Sequence, residues 1–499
     1  MPQKNRVHML ESGSNTLTIV VVGASGDLAR RKIFPALFAL YCQGLLPVEL
    51  TIMGFARSAM TDESFRESIT EHLTCRYTPE ERSCAEKMDA FLACCHYVSG
   101  QYGSTDAFLD LFMRMQEHEP HSRTNRLFYL AIPPSVFMDV ARALGDAGFV
   151  YCDDSSPWSR VVVEKPFGHD RSSSDQLVEE LSHVFAERQI FRIDHYLGKE
   201  VIQNLMVLRF ANRIFEPLWS REHIQSVQIS WAEPIGIEGR GGYFDQYGIV
   251  RDVMQNHLLQ MVSLVAMEPP ASTSSAAIRQ EKVRLLETVA AVGIEDLVLG
   301  QYTAAPAGAP PAPGYTEDES VPDDSLASTY AAVLLHINNP RWEGVPFLLR
   351  AGKGLDRKST EIRILFRETE ANVFSGVSGH AEPNELIIRV QPNEAIMFRI
   401  TSKVPGLEMD LETRDLDLEY KTAFSELIPD AYEDLILDVI QGERSLFISS
   451  GELAAAWDVF TPVLDTVDSN HIRPLPYPFG STGPSAAMDL AIRADTVWR

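Results

Sequence analysis

Residues 17–29 read LTIVVVGASGDLA. The first six form a short, unbroken apolar run that stops at a glycine, with no polar alternation inside it. Such a run suits a strand buried on both faces of a parallel sheet. Gly23 and Gly26 permit a tight turn and close approach of the backbone to a pyrophosphate. A helix starting at Asp27 turns its free N–H groups and the positive end of its dipole to the same place. The spacing is G-x-x-G-x-x-A, not G-x-G-x-x-G, so a plain glycine turn is the alternative and the surrounding pattern decides.

That pattern is alternating. Residues 27–44 have helical spacing, with Gly44 able to cap the end, and 51–55 read as a second strand. Residues 62–73 read as a helix, 88–115 as mixed and helical in parts, 126–132 as a strand stopped by Pro133-Pro134, 135–144 as a helix and 160–163 as a strand. Repeated strand–helix units predict a doubly wound α/β Rossmann-type domain. Beyond it, Val227, Ile229 and Trp231 alternate with Gln228 and Ser230, and Ile362, Ile364 and Phe366 alternate likewise. Residues 385–390 and 395–400 flank a hairpin. These predict a larger α+β domain with a mainly antiparallel sheet, one face covered by helices. Residues 244–267 form its longest helix candidate, with 431–440 and 452–464 as others. The expected organisation is a flexible segment 1–16, a dinucleotide-binding domain 17–195 and an α+β substrate-binding and oligomerisation domain 196–499. Residues 303–313, TAAPAGAPPAP, read as a solvated loop.

Composition sets limits. At about 100–200 residues per domain, 499 residues allow two or three domains. With 44 basic and 69 acidic residues the formal charge is −25, which argues against nucleic-acid or anionic-membrane binding. Lys and Arg clusters are therefore informative. Cys42, Cys75, Cys84, Cys94, Cys95 and Cys152 form no C-x-x-C pair and no zinc spacing with His. They are too sparse for a disulfide scaffold, and the expectation is a reducing compartment with no metal. The first sixteen residues carry no apolar signal core, no run approaches a membrane span, and the last three are not a peroxisomal signal, so the expected location is cytoplasmic.

Several constellations carry chemistry. The second strand ends in Arg57 where an NAD site would place an acid; a guanidinium there suits a 2′-phosphate, and Ser25 adds a hydroxyl. The reading is NADP. Lys165, in Glu164-Lys165-Pro166, closes a strand at the ligand-binding edge of the sheet, though a loop lysine is commonly only a surface charge. His195, Tyr196 and Lys199 crowd the domain junction as a phosphomonoester clamp, against the plain reading of a polar loop and an exposed helix lysine. His257 shares a helix face with Val253 and Met261. It is either a satisfied core histidine or a general base whose ordinary pKa of about 6.5 suits proton transfer near neutrality. Residues 350–358, RAGKGLDRK, form a basic cluster that binds phosphate or sugar or simply balances nearby acids.

Taken together, GASGDLA, EKPFG, RIDHYLGKE, EGRGGYFDQYGIVRDVMQNH, RAGK and PYPFGSTGP occur in an order that resembles the glucose-6-phosphate dehydrogenase family, from about residue 17 to the end. The resemblance implies oxidation of D-glucose 6-phosphate to 6-phospho-D-glucono-1,5-lactone with hydride transfer to NADP, the entry step of the oxidative pentose phosphate pathway. It makes His257 the base and Asp194 the carboxylate that orients it and stabilises imidazolium. It assigns Lys165, His195, Tyr196, Lys199, Glu233, Asp252, Lys353, Arg357 and Gln391 to the substrate. It assigns Gly23, Ala24, Ser25, Gly26, Asp27, Leu28, Ala29, Arg30, Arg57 and Lys165 to the coenzyme. It also implies a homodimer or homotetramer formed through the large sheet. Arg350, Lys358, Arg389 and Arg399 partly match a second, structural NADP site of many eukaryotic members. Met397 and the tail beyond Pro484 depart from that pattern, so the second site is not expected. Phe137 stands where a tyrosine is often found. Two other readings are a dehydrogenase of an unphosphorylated sugar, which would not need His195 and Lys199, and a silent NADP-binding regulator, which would not need both His257 and Asp194.

Overall fold

The computed structural model describes residues 16–77, 80–119, 124–151, 157–369, 373–374 and 382–499. The chain divides into two compact units. The first comprises Met1–Gly198, Thr273–Arg279 and Pro429–Leu453; the second comprises Lys199–Ser272, Gln280–Ile428 and Ala454–Arg499. The expected flexible N-terminal segment lies outside the described residues except for Thr16, which begins the first strand.

In the first unit six strands run parallel: β1 (Thr16–Val22), β2 (Glu49–Ala56), β3 (Cys95–Ser99), β4 (Asn125–Leu130), β5 (Ser159–Glu164) and β6 (Ile190–Ile193). Their order is β6-β5-β4-β1-β2-β3, with Phe447–Ile448 added antiparallel outside β6. This is the strand order of dinucleotide-binding sheets, in which the direction of winding reverses beside the first strand and leaves a crevice at its C-terminal end. All seven residues of β1 are buried, which is why its sequence has no polar alternation. The helix Asp62–Thr70 starts where the Thr61 hydroxyl accepts the Ser64 N–H at 3.3 Å, a reciprocal cap with the Ser64 side chain. The mixed stretch 88–115 resolves into the end of a helix, Glu81–Ala93, the edge strand β3, and a helix, Thr105–His118. The sequence reading missed β3 because only part of this short edge strand is buried.

Cys75 and Cys84 are joined by a disulfide, while Cys42, Cys94 and Cys95 are free thiols. Cys152 lies outside the described residues. The cysteines are too sparse for a disulfide scaffold, yet one pair is bridged, with its Cα atoms 5.8 Å apart, a bridgeable separation that spacing alone does not reveal. The cysteine pattern therefore no longer argues for a reducing compartment.

The second unit carries β7 (Ile224–Ala232), β8 (Leu297–Thr303), β9 (Tyr330–Leu335), β10 (Phe347–Gly352), β11 (Ser359–Phe366), β12 (Glu385–Gln391), β13 (Ala395–Lys403) and β14 (Leu411–Glu419). They run in the order β14-β13-β12-β11-β7-β10-β9-β8, and Leu475–Pro478 adds outside β8. Pairing is antiparallel except for β10 on β7 and Leu475–Pro478 on β8. The polar positions of β7 do not face water. The C-terminal segment covers them: Ser226 Oγ lies 3.1 Å from Thr496 Oγ1, and the Gln228 carboxamide donates to the Val497 carbonyl at 2.7 Å and accepts the Arg499 N–H at 3.0 Å. The 303–313 loop is largely exposed.

The single helix expected over 244–267 is three segments, Gly241–Ile249, Val250–Leu258 and Leu259–Ala266. Gly248, at φ +63° and ψ 174°, breaks the first of them. The middle one has wide i→i+5 turns, a geometry often found at functional sites. Among the described residues no helix is long and apolar enough to cross a membrane.

Candidate active site

The first unit presents a glycine turn between β1 and the following helix. At the end of β1, Gly23 has φ +88°, and its N–H donates to the Phe55 carbonyl at 2.7 Å. A Cβ there would run into the Ala131 carbonyl, so only glycine fits. The Gly26 N–H closes the turn on the Gly23 carbonyl at 2.9 Å. Ala24 and Ala29 are buried, and the exposed Asp27 pairs with Arg30 at 3.0 Å on the first helical turn. Leu28 packs against the apolar core. Ser25 Oγ lies 3.2 Å from Ser58 Oγ, and the neighbouring Arg57 is exposed, its guanidinium 5.4 Å from the Tyr102 ring centre. The Ser25 and Ser58 hydroxyls and the Arg57 guanidinium beside this turn form a donor set that fits the phosphates of NADP.

Lys165 follows β5 and leads into a cis bond to Pro166. Glu164, just before it, is buried, and burial pushes its carboxyl up to about 7. After β6 come Asp194, His195 and Tyr196. Asp194 is buried, and its Oδ1 accepts the Tyr196 N–H at 3.0 Å. The His195 ring lies 5.0 Å from the Tyr196 ring and parallel to that of Tyr432 at 6.1 Å. Arg192 of the same motif is structural: it is 1% exposed and binds Glu187 through two bonds of 2.9 and 3.0 Å.

The second unit gathers the other candidates. Lys199 precedes the helix Glu200–Ala211, and its Nζ donates to Gln391 Oε1 at 3.4 Å. The Gln391 amide donates in turn to Thr360 Oγ1 at 3.0 Å, across the β11–β12 pair. Burial raises the nearby Glu394 carboxyl, and Lys199 opposes the shift. Lys353 is buried, donates to Glu233 Oε2 at 2.7 Å and lies over the rings of Trp231 and Phe244. Arg357 is exposed beside Asp356 at 3.9 Å, a setting unlike that of Lys353.

Asp252 and His257 sit on the wide-turn segment Val250–Leu258. The wide pitch still leaves residues four apart on nearly one face, and His257 is buried together with Val253 and Met261. The Asn256 side chain supports this backbone: it donates to the carbonyls of Arg251 and Asp252 at 3.1 Å each and accepts the His257 N–H at 2.6 Å. Arg251 is anchored by Asp468 at 2.8 Å. Burial, with the charge of Asp252 adding to it, raises the Tyr243 hydroxyl.

Three of the basic residues compared with a second NADP site, Arg350, Arg389 and Arg399, have partners within the chain. Arg350 donates to Ser230 Oγ at 3.0 Å and lies under the Trp498 ring at 4.7 Å. Arg399 binds Asp415 through two bonds of 2.8 and 3.0 Å and Glu385 at 3.1 Å, and Arg389 pairs with Glu419 at 3.4 Å. Sequence reasoning overlooked Tyr129, Tyr432, Thr360 and Asn256, whose partners lie on other elements or on the unusual backbone of their own.

Comparison with known proteins agrees with this geometry. Residues 20–204 match the glucose-6-phosphate dehydrogenase NAD-binding domain, and residues 206–499 match the C-terminal domain of the same family. The chain is 51% identical to a chloroplastic glucose-6-phosphate 1-dehydrogenase of Nicotiana tabacum, over 100% of this chain and 84% of the relative. It is 50% identical to the glucose-6-phosphate 1-dehydrogenase of Dictyostelium discoideum, over 96% and 94%. It is 47% identical to a cytoplasmic one of Arabidopsis thaliana, over 97% and 92%. A solved glucose-6-phosphate dehydrogenase in complex with glucose 6-phosphate superimposes with a TM-score of 0.89 at 41% identity, covering 97% of this chain and 98% of the other. The enzyme from Mycobacterium avium gives 0.82 at 32%, with the same coverage. With both family domains matched in order and a Rossmann-type sheet followed by a mainly antiparallel one, the chain belongs to the glucose-6-phosphate dehydrogenase family.

Proposed function

We propose that the chain oxidises glucose 6-phosphate with His257 as general base and His195, Tyr196 and Lys199 as the phosphate clamp. The reaction itself, D-glucose 6-phosphate and NADP to 6-phospho-D-glucono-1,5-lactone and NADPH, is that of the family. The observation that carries the assignment of roles is the wide-turn segment that holds His257, with Asp252 on the same segment. His257 accepts the proton of the anomeric hydroxyl while Asp194 supplies the supporting carboxylate. NADP, when bound, accepts the hydride from the same carbon. General-base catalysis contributes about 10²–10⁴-fold, and positioning of the sugar supplies most of the rest.

Lys353 and Glu233 serve as a paired sugar contact, with Asp252, Gln391 and Arg357 as further polar contacts. Lys165 reaches both sugar and nicotinamide. Gly23–Arg30 and Arg57 bind the coenzyme. The enzyme's proposed place of work is the cytoplasm, as for the Arabidopsis thaliana relative named cytoplasmic; other relatives are chloroplastic. It assembles as a homodimer or homotetramer through the β14 edge of the large sheet. That edge strand exposes Leu416 and Leu418, and Leu407 and Met409 are exposed in the loop before it, an apolar surface that a second copy would cover.

The test follows NADPH absorbance with NADP and glucose 6-phosphate, with NAD, glucose and His257→Asn in parallel. Turnover that needs the phosphate and falls by at least about 10²-fold in His257→Asn supports the roles given. Full activity in the variant refutes His257 as base. Light scattering of Leu416→Lys tests assembly: an unchanged oligomer refutes the β14 surface.

A further inference from the structure

Arg57, the residue assigned to the 2′-phosphate, stands just past the end of its strand. β2 stops at Ala56, whose carbonyl accepts the Gly100 N–H at 2.9 Å, and Arg57 and Ser58 follow on an exposed bend. Backbone groups beyond the end of a ladder need other partners. Tyr97 supplies one: its hydroxyl donates to the Ser58 carbonyl at 2.7 Å and lies 3.5 Å from that of Ala56. One phenol therefore spans the end of β2 and the bend.

The phenol is itself held. Tyr97 stands on β3 opposite Gly54 of β2, in parallel register. Its N–H donates to Asp62 Oδ1 at 2.7 Å. Its ring packs on that of Phe65, with 5.0 Å between the centres, and Gly54 leaves room for this pair, since a Cβ there would strike the Phe65 ring. The side chain is buried, and burial pushes its hydroxyl up to about 12, so it stays a donor at the pH of any ordinary assay. The Tyr102 ring, 5.4 Å from the Arg57 guanidinium, meets the same bend from the side-chain end.

We propose that Tyr97 is a positioning residue for coenzyme discrimination, whose hydroxyl fixes the Ser58 carbonyl and so aims the Arg57 guanidinium at a ribose 2′-phosphate. This rests on the assignment of Arg57 to the coenzyme made above. Tyr97 touches no coenzyme atom in this role. A guanidinium binds phosphate through a planar fork of donors, so its direction matters as much as its charge. A bend free to swing loses affinity for the 2′-phosphate alone, because the rest of the nucleotide is assigned to the β1 turn, on another element.

The experiment titrates full-length protein, without coenzyme, by calorimetry with adenosine 2′,5′-bisphosphate and with 5′-AMP, which differ only in the 2′-phosphate. The variants are Tyr97→Phe, Arg57→Ala and the two combined. Tyr97→Phe removes one oxygen and keeps the ring. Asp62→Ala, which frees the Tyr97 N–H, stands in if Tyr97→Phe fails to fold, and the same selective loss is expected of it. Loss of one hydrogen bond predicts a Kd for the bisphosphate about 3–10-fold higher in Tyr97→Phe, with that for 5′-AMP within about twofold of wild type. Added to Arg57→Ala, the same substitution is expected to change the bisphosphate Kd by less than about twofold, because no guanidinium is left to aim. Kinetics are expected to repeat the pattern: KM for NADP rises by the same factor, while KM for NAD and saturated kcat hold. Equal weakening of both nucleotides would mean that Tyr97 only supports the fold and would overturn the proposal, as would an unchanged bisphosphate Kd or an undiminished effect in the double variant. Arg57→Ala binding the bisphosphate as tightly as wild type removes the placement of the 2′-phosphate, and the proposal with it. A weakened Arg57→Ala beside an unaltered Tyr97→Phe removes only the role of Tyr97.

Discussion

Replacing Gly23 with alanine separates two costs that usually arrive together. At φ +88° an L-residue loses about 1–2 kcal/mol to strain between its Cβ and its own backbone. The added carbon also meets the Ala131 carbonyl, a main-chain group at the end of β4 that cannot rotate away, so the turn or the strand must shift. Overpacking of this kind costs about 1–3 kcal/mol. The shift endangers the 2.7 Å bond from the Gly23 N–H to the Phe55 carbonyl, worth about 1 kcal/mol. Together these destabilise the turn by about 3–6 kcal/mol. Gly44 supplies the control: it has φ +69° but open space around its Cβ position, so Gly44→Ala bears the strain without the collision. The assay is thermal melting with and without NADP, together with NADP titration by calorimetry. Gly23→Ala is expected to melt well below Gly44→Ala and, if about 2 kcal/mol falls on the bound state, to bind NADP about thirtyfold more weakly. Equal melting points for the two variants, with NADP affinity intact in both, would refute the collision argument and the placement of the coenzyme at this turn.

Three further outcomes are expected. Arg57→Ala raises KM for NADP by about 10–100-fold and leaves KM for NAD nearly unchanged, because only one coenzyme carries the 2′-phosphate; parallel kinetics with both check it. Lys353→Met leaves Glu233 without its cation and lowers stability by about 2–3 kcal/mol, while the double variant with Glu233→Gln recovers stability but not affinity for glucose 6-phosphate, as melting and KM will show. Glu164 makes stability fall as pH rises. Its folded pKa of about 7 exceeds the ordinary 4.5, so its contribution is whole below pH 4.5 and is lost between 4.5 and 7. The loss is at most about 3 kcal/mol, and denaturant midpoints at pH 5 and pH 7.5 are expected to differ less in Glu164→Gln than in wild type.

What could be read from the sequence follows from how far apart the interacting residues are. The β1–turn–helix unit was legible because its strand, glycines and helix start are contiguous and because burial on both faces leaves a continuous apolar run. The alternation in β7 was also visible, but its meaning was not: Gln228 points to the C-terminal segment rather than to water, and that segment is far away in the chain. Gly248 was in plain view, yet nothing nearby in sequence says that it must break the helix. The following N–H, of Ile249, is held by the carbonyl of Ser328, on a distant stretch. Glu233 and Lys353 were each singled out, but not as partners. Their pairing comes from the parallel register of β7 and β10, in which Ala232 stands opposite Gly352, so that the next residue on each strand emerges beside the other. The same logic governs Glu164. Its neighbours in sequence, Lys165 and Pro166, read as a ligand edge, while the hydroxyl that bonds it, that of Tyr129, comes from β4. Local motifs therefore identify which side chains can act, and strand register and returning segments decide which of them act together. Arg357 shows the difference: it lies in the same basic motif as Lys353, but its partner is its own exposed neighbour Asp356, and no strand register brings it a distant one.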